Sequence, residues 1–174
     1  MAGVSAAGWR HGYVGPTELL GTVRPSAEGR IVRSAGDLDG WLAGRAGAEL
    51  AEPFTYVVGV DGLLRLAPRR SEHVACAGGA DVLGAGEMGF ERAAGPWTVR
   101  EVSNQSTGYC PRLDSWDAVA RALDGADIGR PAGFTHAVVF RRCVSCREIN
   151  IVREGDFVCV FCGSDLPAEW NVAA

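Results

Sequence analysis

The segment FTYVVGVDGLLRLAP, residues 54–68, gives the clearest indication of the fold. Two runs of apolar and β-branched residues flank Asp61 and Gly62, and this dipeptide is favoured in tight hairpin turns. The segment therefore predicts two antiparallel strands joined by a short turn.

Further strands are predicted in the glycine-rich segment 73–103 that follows the hairpin. The best defined are residues 87–91 and 97–102. Apolar and polar residues alternate imperfectly along the second of these, as expected for a half-buried strand. Together with the hairpin they predict a twisted, mainly antiparallel sheet over about residues 54–111.

Two helices are predicted to flank this sheet, near residues 37–50 and 116–124. The first follows Ser34, a candidate N-cap. It contains three glycines that each weaken it by about 1 kcal/mol relative to alanine, so tertiary packing must hold it. The second has its apolar residues at helical spacing. The helices and the sheet together predict an α+β fold.

The composition is that of an ordinary globular chain, with 174 residues, 47% hydrophobic and 22% charged. The net charge of −4 argues against electrostatic capture of nucleic acid or of an anionic membrane surface. The first residues do not resemble a signal peptide, and no stretch approaches the roughly 20 apolar residues of a membrane span. We therefore expect a cytoplasmic protein whose thiols stay reduced.

Four of the six cysteines lie in RRCVSCREINIVREGDFVCVFCGSDLP, residues 141–167. Cys143 and Cys146 form one C-x-x-C pair, which Cys159 and Cys162 repeat after twelve intervening residues. Two such knuckles direct four thiolates at one cation, so the spacing predicts a zinc ribbon. Because four thiolates leave no open coordination position, we expect the zinc to be structural.

The sequence divides into three predicted parts. Residues 1–33 lack periodicity and predict a loose N-terminal arm, residues 34–139 form the α+β core domain, and residues 140–168 form the zinc ribbon. Within the ribbon, residues 149–152 and 156–160 are the predicted strands.

Polar side chains among glycines predict a pocket between residues 68 and 112. A histidine and a glutamate can act as a general base and its orienter, while hydroxyl groups hydrogen-bond a ligand and glycines let it approach backbone N–H groups. The candidate catalytic residues are His73, Glu87 and Tyr109, and the candidate ligand-binding residues are Ser106, Asn104 and Gly79.

Each candidate catalytic residue also has a structural interpretation. His73 can be a buried histidine bonded to a neighbouring strand, and Tyr109 a core aromatic whose hydroxyl caps a loop. Glu87 can pair with a nearby arginine such as Arg69 or Arg92.

A family resemblance covers residues 73–111. The matching pattern is H-x5-G-x2-V-x2-A-G-E followed by S-x-x-Y-x-P, carried by His73, Gly79, Val82, Ala85, Gly86, Glu87, Ser106, Tyr109 and Pro111. It resembles a module of plant IQ-motif calmodulin-binding proteins and of some bacterial polymorphic-toxin-like and effector-like proteins. Val74 replaces a usual serine, and a second histidine before Tyr109 is absent. The resemblance implies a shared fold and pocket but no particular reaction.

Two functions follow as hypotheses, and the sequence leaves open whether the chain is an enzyme. In the first, the pocket serves a nucleotide-like or protein substrate in a group-transfer or effector-like enzyme, and the ribbon is a clasp. In the second, the chain is a non-catalytic adaptor that binds a protein partner through the ribbon. Convergence of the pocket residues favours the first, and an exposed apolar ribbon face favours the second.

Overall fold

A five-stranded antiparallel sheet organises the chain in the computed structural model, which describes residues 8–173. The strand order is β1-β3-β2-β4-β5, and every pairing is antiparallel, as the sequence predicts. The strands are Arg30–Val32 (β1), Phe54–Gly59 (β2), Leu64–Ala67 (β3), Val82–Glu91 (β4) and Thr98–Val102 (β5).

The predicted hairpin is confirmed as β2 and β3. Gly62 lies in its turn with a φ of 79°. Asp61 accepts a hydrogen bond from the Leu63 N–H at 3.0 Å and a bidentate pair from the Arg65 guanidinium at 2.9 and 2.8 Å. The hydrogen bonds from Arg65, and to a smaller extent the one from the Leu63 N–H, lower the pKa of Asp61 to about 2.

Within residues 8–173, four α-helices accompany the sheet: Ala35–Ala43 (α1), Gly47–Leu50 (α2), His73–Cys76 (α3) and Trp116–Gly125 (α4). The prediction of one helix over 37–50 is wrong, because the chain leaves the helix at Gly44 and begins a separate turn at Gly47. The Ser34 cap is confirmed, since its hydroxyl accepts the Asp37 N–H at 3.1 Å. Within residues 73–103, where the sequence predicts further strands, β4 and β5 are present and α3 precedes them.

Both faces of the sheet are covered. Helices α1 and α4 cover one face, where Leu42 and Leu123 pack with Tyr56, Leu64 and Met88. Helix α3 and the N-terminal segment cover the other. That second cluster consists of Val57, Ala67, Val74, Cys76, Val82, Ala85 and Tyr109. Five residues of the predicted pocket segment, Tyr109 among them, therefore belong to this packed cluster.

The predicted N-terminal arm is not loose over the residues that the structure describes. Backbone bonds of 2.8 and 3.0 Å join buried His11 to Val82, and two 3-10 turns follow at Thr17–Thr22 and Pro25–Ala27. Strand β1 then joins the sheet. Single turns and a three-residue strand have no periodicity to detect, which is why the sequence suggests an arm. Residues 1–7 of the predicted arm lie outside the described residues.

The C-terminal region has its own two-stranded sheet, made of Val139–Arg142 (β6) and Ile149–Val152 (β7). Strand β7 is as predicted, but its partner is β6 rather than residues 156–160, which take part only in isolated bridges. The four-cysteine cluster lies beside this sheet.

Among the described residues, no helix has the length and apolar character required to cross a membrane.

Candidate metal centre and the predicted pocket

The four predicted metal ligands come together. The sulfur atoms of Cys143, Cys146, Cys159 and Cys162 all lie within 4.8 Å of one another. The Cys143–Cys162 and Cys146–Cys159 sulfur pairs are each 3.6 Å apart. Tetrahedral thiolates at 2.3 Å from a zinc ion lie about 3.8 Å apart, so the observed spacing fits one tetrahedral metal ion.

Both knuckles are built in the same way. In each, the residue four positions after the first cysteine donates its N–H to that cysteine's carbonyl, at 3.0 Å from Arg147 and 2.9 Å from Gly163. Both residues adopt left-handed backbone conformations, with φ of 71° and 77°. This turn directs the two sulfurs of a knuckle to one point, and glycine adopts it without a steric penalty.

Asn150 supports the cluster from below. Its side-chain nitrogen donates to the Cys159 sulfur at 3.4 Å, and its side-chain oxygen, Oδ1, accepts the Val160 N–H at 2.9 Å. Desolvation opposes ionisation of Cys159, but N–H donors from Cys162 and Phe161 outweigh it and lower the pKa of the thiol to about 6. These donors therefore favour the thiolate form of Cys159, which is the form that binds a metal.

Large apolar side chains are exposed at the tips of both knuckles. We call Val144, Val160 and Phe161 the knuckle tips; their exposed fractions are 62%, 78% and 63%. They occupy the variable positions of C-V-S-C and C-V-F-C. Sequence reasoning missed them, although apolar residues between the cysteines of two tight turns are a usable signal, because those positions face away from the metal.

His73 lies at the start of α3, where it serves a structural contact. Its Nε2 is 2.8 Å from the Gly86 carbonyl, so the ring donates to the backbone of β4. Burial lowers the pKa of His73, which favours the neutral ring. This contact corresponds to the structural interpretation of His73, a buried histidine bonded to a neighbouring strand.

Tyr109 is fully buried, and its ring packs edge-on against Tyr13 with centroids 5.9 Å apart. Its hydroxyl donates to the Ala80 carbonyl at 2.7 Å, just before β4. Burial raises the pKa of Tyr109. The side chain therefore fixes the segment between α3 and β4 and does not face a cleft.

The predicted ligand-binding residues also have partners within the fold. The Ser106 hydroxyl accepts the Tyr109 N–H at 3.2 Å. Asn104 is fully buried, and its amide bonds to Pro111 and Val138. Gly79 follows α3 with a φ of 80°, and its N–H donates to the Val74 carbonyl at 2.8 Å.

Glu87 lines a small cavity. This cavity has a volume of about 270 Å³ and is also lined by Glu101, Ser103 and His136. Among the described residues Glu87 forms no salt bridge, since Arg69 pairs with Glu52 and Arg92 with Asp39.

The hydrogen bonds of the predicted catalytic residues go to other parts of the fold. Among the described residues, no hydrogen bond joins His73, Glu87 and Tyr109 to one another. Among the described residues, His73 and Tyr109 are not part of the lining of the cavity that Glu87 lines. Their assignment to catalysis remains a prediction.

Comparison of the chain with protein-family models, with curated proteins and with solved structures finds no match.

Proposed function

We propose that this chain is a non-catalytic interaction protein that binds a protein partner through the knuckle tips of a zinc-loaded C-terminal ribbon. The observation that carries the proposal is the exposure of Val144, Val160 and Phe161 on the two turns that hold the four sulfurs. The pocket hypothesis has no comparable observation, because His73 and Tyr109 bond to main-chain carbonyls.

Zinc is the metal that this donor set fits best. Four thiolates in tetrahedral arrangement are typical of zinc or of iron–sulfur proteins, and paired C-x-x-C knuckles beside a small hairpin are typical of structural zinc. A single ion fills the cluster, because the sulfurs lie 3.6 Å apart in two pairs. Zinc in such a site supplies no open position for substrate, so it holds the knuckles and takes no part in a reaction.

The knuckle tips are suited to anchoring a partner. Each of these side chains gains roughly 1.5–3 kcal/mol when it moves from water into an apolar groove. The metal and the knuckle hydrogen bonds already fix the backbone beneath them, so little conformational entropy is lost on binding. Rigid apolar anchors of this kind usually dominate the energy of an interface.

The charge of the loaded ribbon indicates the character of the partner. Residues 140–168 contain four arginines and four acidic side chains, which cancel. Four thiolates and one Zn²⁺ leave two net negative charges at the centre. We therefore expect a protein partner whose apolar groove has a basic rim, and the same charge disfavours nucleic acid.

The test compares affinity capture by the zinc-loaded wild type, by Val160→Ser/Phe161→Ser, and by the control Leu20→Ser. Leu20 is 45% exposed and lies far along the chain from the knuckles. The proposal expects a protein that is captured by the wild type and the control and lost by the double variant. With that protein purified, the Kd should rise at least tenfold for the double variant and should also rise with salt.

Two results would overturn the proposal. One is unchanged capture by the double variant. The other is that light scattering finds a dimer for the wild type and a monomer for the double variant. The partner bound at the knuckle tips would then be a second copy of this chain.

A further inference from the structure

A cleft of about 510 Å³ lies where the core meets the C-terminal region. Its walls come from three separate parts of the chain: the loop that precedes α4, strand β6, and the segment after the cysteine cluster. Two arginines, Arg112 and Arg141, line it together with the Trp170 indole and apolar side chains that include Leu113 and Phe140. This volume lies within the range of small-molecule sites.

Arg112 is held in a fixed position on one side of the cleft. Its Nε and Nη2 donate to the Asp114 carboxylate at 3.0–3.2 Å. Its guanidinium also lies 4.4 Å from the ring centroid of Trp9 and 5.5 Å from that of Trp170. Among the described residues, Nη1 of Arg112 has no hydrogen-bond partner, so one edge of the guanidinium stays available.

Arg141 carries a charge that no carboxylate neutralises among the described residues. Its three nitrogens donate to the carbonyls of Phe140, Pro167 and Ala168 at 2.6–3.0 Å. Two guanidinium groups therefore line one cleft and repel each other, a situation that a bound anion relieves.

The aromatic wall is formed before any ligand arrives. The Trp170 indole N–H donates to the Cys110 carbonyl at 2.9 Å, and its ring packs edge-on against buried His11 at 5.7 Å. Asp114 is engaged by Arg112, so Glu169 is the one remaining acidic side chain of the lining. Glu169 makes no hydrogen bond or salt bridge among the described residues, and its charge opposes an anion.

We propose that this cleft binds a small organic anion, with a carboxylate or phosphate head group between Arg112 and Arg141 and an apolar or aromatic body against Trp170. Guanidinium groups match the geometry of both head groups through paired N–H donors. The site is independent of the knuckle tips, so it can hold whether or not the proposed protein partner exists.

The test is titration calorimetry of the zinc-loaded chain with phenyl phosphate, benzoate and inorganic phosphate. The proposal expects saturable one-to-one binding of phenyl phosphate or benzoate, at least about tenfold tighter than inorganic phosphate, which lacks the body. The tighter of the two aromatic probes identifies the head group.

Three variants assign the binding to the cleft. Arg141→Gln should weaken it about tenfold or more, because a charged hydrogen-bond donor is lost. Glu169→Gln should strengthen it by about threefold, because a competing charge is removed without a structural contact. Arg153→Gln, an exposed arginine outside the lining, is the charge-matched control and should leave the Kd unchanged.

The proposal is wrong if neither aromatic anion gives saturable binding up to about 10 mM, which corresponds to a negligible affinity. It is equally wrong if Arg141→Gln and Arg153→Gln have the same effect. Should Arg141→Gln fail to fold, Glu169→Gln decides the matter, since an unchanged or weaker affinity in that variant contradicts a site in this cleft.

Discussion

Replacing Asn104 by alanine separates a structural role of this residue from the ligand-binding role that the sequence predicts. Asn104 is fully buried, and both ends of its amide are used. The nitrogen donates to the Pro111 and Val138 carbonyls at 3.1 and 2.8 Å, and the oxygen accepts the Val138 N–H at 2.7 Å. One side chain therefore joins the end of β5 to the chain that leads into β6.

The size of the effect follows from those three bonds. Truncation leaves one N–H and two carbonyls of the main chain without their partner, and each buried group left unsatisfied costs about 1–3 kcal/mol. The three costs are not additive, because water entering the space can restore part of the bonding. We expect a loss of about 3–5 kcal/mol in the free energy of unfolding, a large part of a typical domain's 5–15 kcal/mol.

The assay is urea unfolding of the zinc-loaded chain, followed by tryptophan fluorescence. Gln105→Ala is the matched control, because Gln105 is the neighbouring amide side chain and is exposed. That control should change the free energy of unfolding by less than about 0.5 kcal/mol. An effect of Asn104→Ala as small as that of the control would refute the structural role and leave the amide free for a ligand.

Three further results are expected. Cys143→Ser or a strong chelator should disorder the C-terminal region, read as lost chemical-shift dispersion there, because metal binding supplies roughly 10–16 kcal/mol to such segments; retained dispersion after metal loss would contradict this. Burial lowers the pKa of both His11 and His73 from 6.5, so the unfolded chain binds more protons. Stability should therefore fall as the pH drops below 6.5, by up to about 1.4 kcal/mol per pH unit for each histidine, and His-to-Gln variants should show a shallower fall in urea titrations. Gly86→Ala should destabilise the fold by about 2 kcal/mol or more, because its Cβ would lie 2.0 Å from a main-chain carbonyl oxygen, whereas Gly47→Ala meets open space and should stabilise by up to about 1 kcal/mol; equal thermal shifts for the two would contradict the packing.

Local patterns determined what the sequence could predict. The β2–β3 hairpin and the cysteine cluster each depend on residues close together in the chain, so turn chemistry and spacing suffice to identify them. The low helix propensity of glycine indicates a weak helix over residues 37–50, but it does not locate the break between α1 and α2. A helix boundary depends on the balance between weak propensity and packing, and the packing is not visible in the sequence.

Long-range contacts explain what the sequence could not predict. His11 bonds to Val82, 71 positions later, and Arg112 lies against Trp170, 58 positions later. The residues next to His11 and next to Arg112 in the sequence give no indication of these distant partners. The cleft between the core and the C-terminal region consists of contacts of this kind, so it is visible only once the chain has folded.

Polar side chains among glycines, as in residues 73–111, suggest a functional site, yet a main chain that turns inside a core needs the same pattern. A main chain that turns inside a core must satisfy its N–H and carbonyl groups, and polar side chains are the means of doing so. His73 bonds to Gly86, and Tyr109 bonds to Ala80, so each links separate parts of residues 73–111. Gly86 allows the close approach of the main chain at Ser103, just after β5, which a side chain would block. A motif whose residues make these contacts is as characteristic of a fold as of a catalytic site. We therefore expect His73→Gln, which retains a donor, to keep the partner binding proposed for the knuckle tips even if it lowers stability.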